Sequence, residues 1–181
     1  THAARHHAAG EVVSRTVDGS IHRTTYAGIE RRARHLAQAL QALGVGPSDR
    51  VATLAWNGHR HLELYYAVSG MGAILHTVNP RLHPDQIAWI VNHAGDTWLC
   101  YDSDLQHLAE AVAPQAAGLA GLIRLSDASG LPEQVGGKRV LAYEDIVEAA
   151  SDDFDWPIFD ENTASSLCYT SGTTGNPKGV L

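Results

Sequence analysis

Residues 169–180, YTSGTTGNPKGV, bring three glycines, one proline, four Ser/Thr hydroxyls and a lysine into a few turns of backbone. Glycine and short hydroxyl residues at this density make poor helix and poor strand. The stretch is therefore expected to be a loop that turns N–H and O–H donors toward a bound group. Thr170, Ser171, Thr173 and Thr174 supply hydroxyls, Gly172 and Gly175 leave backbone N–H groups open to close approach, and Lys178 adds a cation. That set suits the oxygens of a polyphosphate. Two phosphate-loop patterns do not fit it. A Walker-type loop needs Gly directly before the lysine and a hydroxyl directly after, whereas Pro177 and Gly179 flank Lys178. A dinucleotide GxGxxG is absent, since Gly70 and Gly72 are followed by Leu75 in the third slot. A plain turn with an exposed lysine, which Asn176-Pro177 alone would give, is the competing reading. It leaves the hydroxyls without a use.

Other residue types that do chemistry are scattered. Eleven histidines raise the question of a metal, but none shows HExxH or zinc-finger spacing. His59 and His61 are two apart on an expected helix and so point to different faces. Cys100 and Cys168 form no CxxC and are expected to be buried thiols in a reducing, cytoplasmic compartment. Arg31, Arg32 and Arg34 fall between apolar helix positions and read as a solvated face. A net charge of −7 argues against nucleic acid as a general partner. The longest apolar runs are broken well short of a membrane span, and THAARHHAAG at the start has no signal-peptide core.

The elements that must hold the glycine-rich stretch are legible upstream. With 181 residues, 44% of them apolar, the chain can bury a core of its own. Strands are expected at Val51 to Ala55, Ala73 to Val78, Thr97 to Tyr101 and Leu122 to Leu125, with helices at Gly58 to Gly70, Pro84 to Ala94 and Asp104 to Ala117. Ile87, Ile90, Val91 and Ala94 recur at helical spacing, Pro84 suits a first turn, and Gly95 suits the residue past the end. The order βαβαβαβ predicts an α/β fold, a mostly parallel sheet with helices on both faces. Before it, EVVSRTV and SIHRTTY flank Asp18-Gly19, which is expected to supply the positive φ of a tight hairpin turn. Tyr26, Ile29, Ala33, Leu36, Leu40 and Leu43 then make one apolar helix stripe that Gly44 can end. A hairpin and one helix cannot close a core alone, so this stripe needs a partner. The chain thus divides into residues 1–46, an α/β unit at 47–126, a connector at 127–163 with a short helix near Tyr143 to Ala150, and a strand with the glycine loop at 164–181.

YTSGTTGNPKG resembles the phosphate-binding signature of the adenylate-forming enzymes, which include acyl-CoA synthetases, luciferases and peptide-synthetase adenylation domains. Residues 51–96 resemble bacterial medium- and long-chain fatty-acid–CoA ligases, in which NxHRHLELYYA and GMGAxLHTxNPRL recur. Leu119 to Asn162 matches weakly, and Gly58 and Ser69 stand where bulkier or stiffer residues are expected.

The resemblance implies a two-step reaction, in which a carboxylate attacks the α-phosphate of ATP and coenzyme A thiol then displaces AMP. It implies that Thr170, Ser171, Thr173 and Thr174, with N–H groups near Gly172 and Gly175, hold the β- and γ-phosphates. Thr170 would reach Mg²⁺, and Lys178 would be the catalytic point charge on the leaving phosphates. It also assigns the hairpin and helix of residues 1–46 to a second, incomplete sheet. The adenine pocket, acidic metal ligand, acyl tunnel, coenzyme A channel and a further lysine are expected later in such a chain. The sequence, which starts without methionine, is accordingly expected to be an N-terminal part, inactive alone and able to contribute to a homodimer. An adenylating relative that does not use coenzyme A, or a binding or dimerisation module, are the alternatives.

Overall fold

Each central strand reads as a short apolar run because helices cover both of its faces. The computed structural model describes residues 2–151, 153–170 and 177–181. In chain order these form α1 (His2–His6), β1 (Glu11–Arg15), β2 (Ile21–Thr25), α2 (Tyr26–Ala42), β3 (Arg50–Leu54), α3 (His59–Gly70), β4 (Ile74–Thr77), α4 (Pro84–Ala94) and β5 (Asp96–Tyr101). Then follow α5 (Gln106–Val112), β6 (Gly121–Arg124), β7 (Gln134–Val135), β8 (Lys138–Ala142), α6 (Tyr143–Glu148), β9 (Ser166–Thr170) and β10 (Lys178–Val180). The sheet order is β10-β9-β4-β3-β5-β6-β8-β7, parallel throughout except for the antiparallel outer pairs β10–β9 and β7–β8. Along β5, Trp98 and Cys100 pack with α2, α3 and α6, whereas Leu99 and Tyr101 pack with α4 and α5. Burying side chains of this size stabilises by about 1.5–3 kcal/mol each.

Local signals explain where the helices begin and end. Pro84 opens α4 behind a His83 and Gln86 capping box, and Gly95 closes it at a φ of 70°. Thr25 caps α2 by accepting from Gly28 N at 3.2 Å, and Gly44 takes a φ of 90° just beyond its end. The helix expected at Asp104 to Ala117 is shorter. It has 3₁₀ turns at Ser103–Leu105 and Ala113–Gln115 around α5, and Pro114, lacking an N–H, stops the α-ladder.

Other expectations are corrected. In the hairpin only Gly19 takes a positive φ, 87°. The last paired residues are Arg15 and Ile21, so residues 16–20 form a longer loop braced by Ser20 N donating to the Asp18 carboxylate at 2.9 Å. The hairpin remains a two-stranded sheet of its own, but α2 does not need a second sheet, because Ala33, Leu36, Ala37 and Leu40 share one core with Val51, Leu64, Val68 and Trp98. Ile29, Ala33, Leu36 and Leu40 of the stripe are buried within the chain, Leu43 is partly buried, and Tyr26 at its start is exposed. The connector supplies a sheet member, β8, which pairs in parallel with β6. Arg32 and Arg34 are not a solvated face. Arg32 pairs with Glu63 at 2.9 Å and Glu144 at 2.8 Å, and Arg34 donates to Phe154 O at 2.7 Å. Ser69, unexpected in its position, donates to Ser165 O at 2.8 Å and ties α3 to the chain entering β9.

His22 of β2 stacks on His59 of α3, with ring centroids 3.6 Å apart and planes 14° from parallel. Burial first, then His22, Arg60 and Arg32, lowers His59 from 6.5 to about 4, with Glu144 opposing. The unfolded chain therefore takes up this proton before the folded one, so the His59 contribution is intact above pH 6.5 and is lost as the pH falls toward 4. Urea midpoints measured from pH 7 to 5 should fall in the wild type and fall less in His59→Phe, which keeps the stacking and removes the proton site.

Candidate functional site

In open parallel sheets, ligands enter where neighbouring strands send their connections to opposite faces. Here α3, after β3, covers one face, and α4, after β4, covers the other. A crevice of about 340 Å³ opens between the carboxyl ends of β3, β4 and β9, lined in part by Asn57, His61, Thr77, Asn79, Cys168 and Tyr169. His61 Nε2 lies 3.1 Å from Thr53 Oγ1, which fixes its ring on the crevice wall. Cys168, expected to be buried, is exposed and lies 3.3 Å from Thr77 Oγ1, while Cys100 is buried and its thiol is pushed up to about 12. The reason is position in the sheet, because Cys100 lies on the interior strand β5 within the helix-covered core and Cys168 lies on β9, beside the outermost strand β10.

Strand β9 lines this crevice with Cys168 and Tyr169, and β10 pairs with it on its outer side. Antiparallel pairing sets Thr170 opposite Lys178, Tyr169 opposite Gly179 and Cys168 opposite Val180. Thr170 and Lys178, eight residues apart in sequence, are thus brought together, both exposed, with Thr170 Oγ1 donating to Lys178 O at 3.5 Å. Ser171, Gly172, Thr173, Thr174 and Gly175 lie outside the described residues. Thr170 offers a single neutral oxygen, and no group of three or more His, Cys, Asp or Glu able to hold a metal occurs among the described residues. This donor set fits a Mg²⁺ carried in on phosphate oxygens better than a metal held by the chain.

Several polar side chains of the sheet had no local sequence signal. His76 of β4 and Asp96 of β5 are fully or almost fully buried and paired, Nδ1 to Oδ2 at 2.7 Å. Burial raises the Asp96 carboxyl despite the pull of His76. Asp102, just past β5, accepts from Trp56 N at 2.7 Å and pins the β3–α3 loop, and burial pushes its carboxyl to about 6. These contacts span 20 and 46 residues, so only their apolar surroundings could have hinted at them. A larger groove of about 570 Å³, lined by Tyr26, Tyr66, Trp156 and Phe159 among others, shares no residue with the crevice and has Glu30 and His2 as its only titratable groups besides the tyrosines. Thr170 and Lys178 belong to the β9–β10 end.

A family model described as AMP-binding enzyme matches residues 1–181. The chain is 47% identical over 181 residues to a 3-methylmercaptopropionyl-CoA ligase of Ruegeria lacuscaerulensis, covering 99% of this chain and 33% of that protein. It is 50% identical over 181 residues to a medium-chain-fatty-acid–CoA ligase of Ectopseudomonas oleovorans, again covering 99% and 33%. The crystal structure of the anthranilate CoA ligase AuaEII with anthranoyl-AMP superimposes with a TM-score of 0.80 over 91% of this chain and 30% of that one. At 23% identity that likeness speaks for the fold alone. The chain spans about a third of the length of the curated relatives it matches.

Proposed function

The chain belongs to the AMP-binding enzyme family, and from this premise we propose that it is the N-terminal part of an ATP-dependent fatty-acid–CoA ligase. The observation that carries the reading is that Lys178 and Thr170 face each other at the open end of the sheet, at the two ends of a hydroxyl-rich stretch. In the proposed reaction a carboxylate oxygen attacks the α-phosphorus of ATP, the bond to the bridging oxygen breaks, and pyrophosphate leaves with that electron pair. The thiol sulfur of coenzyme A then attacks the acyl carbon, AMP departs with its oxygen, and the thiol proton passes to solvent. Thr170, Ser171, Thr173 and Thr174, with the N–H groups near Gly172 and Gly175, hold the β- and γ-phosphates in this reading. Lys178 is a point charge that meets the negative charge growing on the leaving group. Thr170 is the chain's contribution to Mg²⁺, which supplies further charge neutralisation when bound.

The proposal extends to a cytoplasmic setting. Free Cys100 and Cys168 suit a reducing compartment, and among the described residues no helix is long and apolar enough to cross a membrane. The proposed homodimer draws little support from the α2 stripe, which is buried within the chain from Ile29 to Leu40, and light scattering on the full-length protein decides it.

The test is product analysis with the full-length enzyme, ATP and coenzyme A against a panel of octanoate, palmitate, 3-methylmercaptopropionate, benzoate and an amino acid. Fatty acids should give AMP and acyl-CoA. Turnover of the thioether acid well above any fatty acid would move the substrate class toward the Ruegeria relative. AMP release without a thioester would favour an adenylating enzyme that does not use coenzyme A.

A further inference from the structure

Pairing between β4 and β9 runs through Ser166, Leu167 and Cys168 and stops there. Tyr169 and Thr170 project past it, with the three-residue strand β10 as their ladder partner. What fixes this end of β9 is the Tyr169 ring. Its hydroxyl is hydrogen-bonded to Nδ1 of His93 on α4 at 2.6 Å. The ring meets His93 and Trp89 edge-on, with centroids at 5.8 and 6.5 Å, and lies 5.2 Å from the ring of buried His76. Trp89 and His93 stack on each other at 4.6 Å, so the α4 side of the contact is itself braced. On the other side a Cβ placed at Gly179 would lie 3.2 Å from Tyr169 Cζ, so the ring covers the glycine opposite it. An aromatic ring laid over a cross-strand glycine pins the register of the pair.

We propose that Tyr169 is a positioning residue for the adenylation step, docking the ends of β9 and β10 on α4 so that Thr170 and Lys178 keep their place at the mouth of the crevice. The inference rests on the proposed function for what Thr170 and Lys178 bind. Burial, and after it the Asp96 charge, raises the Tyr169 phenol above its ordinary range, so it stays a neutral hydroxyl. Tyr169 touches no reacting atom in this account. It acts through its neighbours on the two strands, where a displacement of about 1 Å is enough to cost up to 10²-fold in rate.

The experiment uses the full-length enzyme with Tyr169→Phe, Tyr169→Ala, His93→Ala and the Tyr169→Phe/His93→Ala double variant. Measured quantities are acid-dependent pyrophosphate exchange, KM for ATP, MgATP affinity by calorimetry, thioester formation from supplied acyl-adenylate, and Tm. Tyr169→Ala should lower exchange by about 10-fold or more and raise the KM for ATP, with the thioester step within about two-fold. Tyr169→Phe and His93→Ala should each show a smaller loss, and the double variant should be no worse than His93→Ala alone, because that variant has already lost the shared hydrogen bond. Unchanged exchange and KM in Tyr169→Ala would overturn the proposal, as would an equal loss in both half-reactions tracking a lower Tm. If Tyr169→Ala does not fold, wild-type kinetics in both Tyr169→Phe and His93→Ala would overturn it. A wild type that exchanges with no carboxylic acid, yet whose MgATP affinity falls in Tyr169→Ala, would sink the proposed function and leave the positioning role standing.

Discussion

Lys178→Ala in the full-length enzyme should slow acyl-adenylate formation by about 10- to 100-fold, while thioester formation from supplied acyl-adenylate stays within about two-fold of wild type. The asymmetry follows from where negative charge develops. Only the first half-reaction expels pyrophosphate, so a cation facing the leaving phosphates acts in that transition state and not in the second. A charge-assisted contact contributes about 1.5–3 kcal/mol, which sets the size of the loss. Lys178 is exposed at the start of β10, so its removal leaves no buried group unpaired and should barely change Tm. Single-turnover measurement of pyrophosphate release against thioester formation checks it. An equal fall in both steps would remove Lys178 from the role proposed for it.

Arg32→Ala should cost about 3 kcal/mol of unfolding stability, the largest effect expected from a residue outside the phosphate-binding stretch. Glu63 is fully buried on α3, where its carboxylate accepts from Arg32 Nε at 2.9 Å and from the Tyr143 hydroxyl at 2.6 Å. Glu144 bridges the same arginine to Arg60, whose Nε it meets at 2.6 Å. Burial pushes the Glu63 carboxyl up, against Arg32 and Tyr143, so without Arg32 it must either stay charged without its cation or take up a proton, and both cost stability in the contact between α2, α3 and α6. Urea unfolding gives the number. Tyr143→Phe should lose about 1 kcal/mol, and Arg32→Ala/Glu63→Leu should recover much of the single-variant loss, because removing both charges leaves nothing uncompensated. A loss below about 1 kcal/mol for Arg32→Ala would show that water or another residue replaces the guanidinium.

These two residues mark what a sequence does and does not disclose. Lys178 stood in a dense local pattern, and the Ile87, Ile90, Val91 and Ala94 spacing located α4 with Pro84 and Gly95 as its ends, because helical periodicity and capping act within a few residues. Arg32 looked like one member of a basic run. Its partners Glu63 and Glu144 are 31 and 112 residues away, and no local pattern announces a pairing at that range. His76 and Asp96 were silent for the same reason, being paired across β3. Tyr169 lay inside the quoted stretch, yet its ring acts toward α4, a contact that only the assembled sheet creates. Strand β8 had a readable signal: Gly136 and Gly137, both at positive φ, precede an alternation in which Val140 and Ala142 are buried. The acidic and glycine-rich sequence around it disguised the strand as a connector.

The most direct test of the account is ATP–pyrophosphate exchange by the full-length enzyme without coenzyme A. Labelled pyrophosphate should enter ATP only when a fatty acid is present, because the acyl-adenylate is the intermediate from which ATP re-forms, and Lys178→Ala should suppress that exchange. Exchange that proceeds without any carboxylic acid, or fatty-acid-dependent ATP cleavage that yields ADP and phosphate with no exchange, would contradict it.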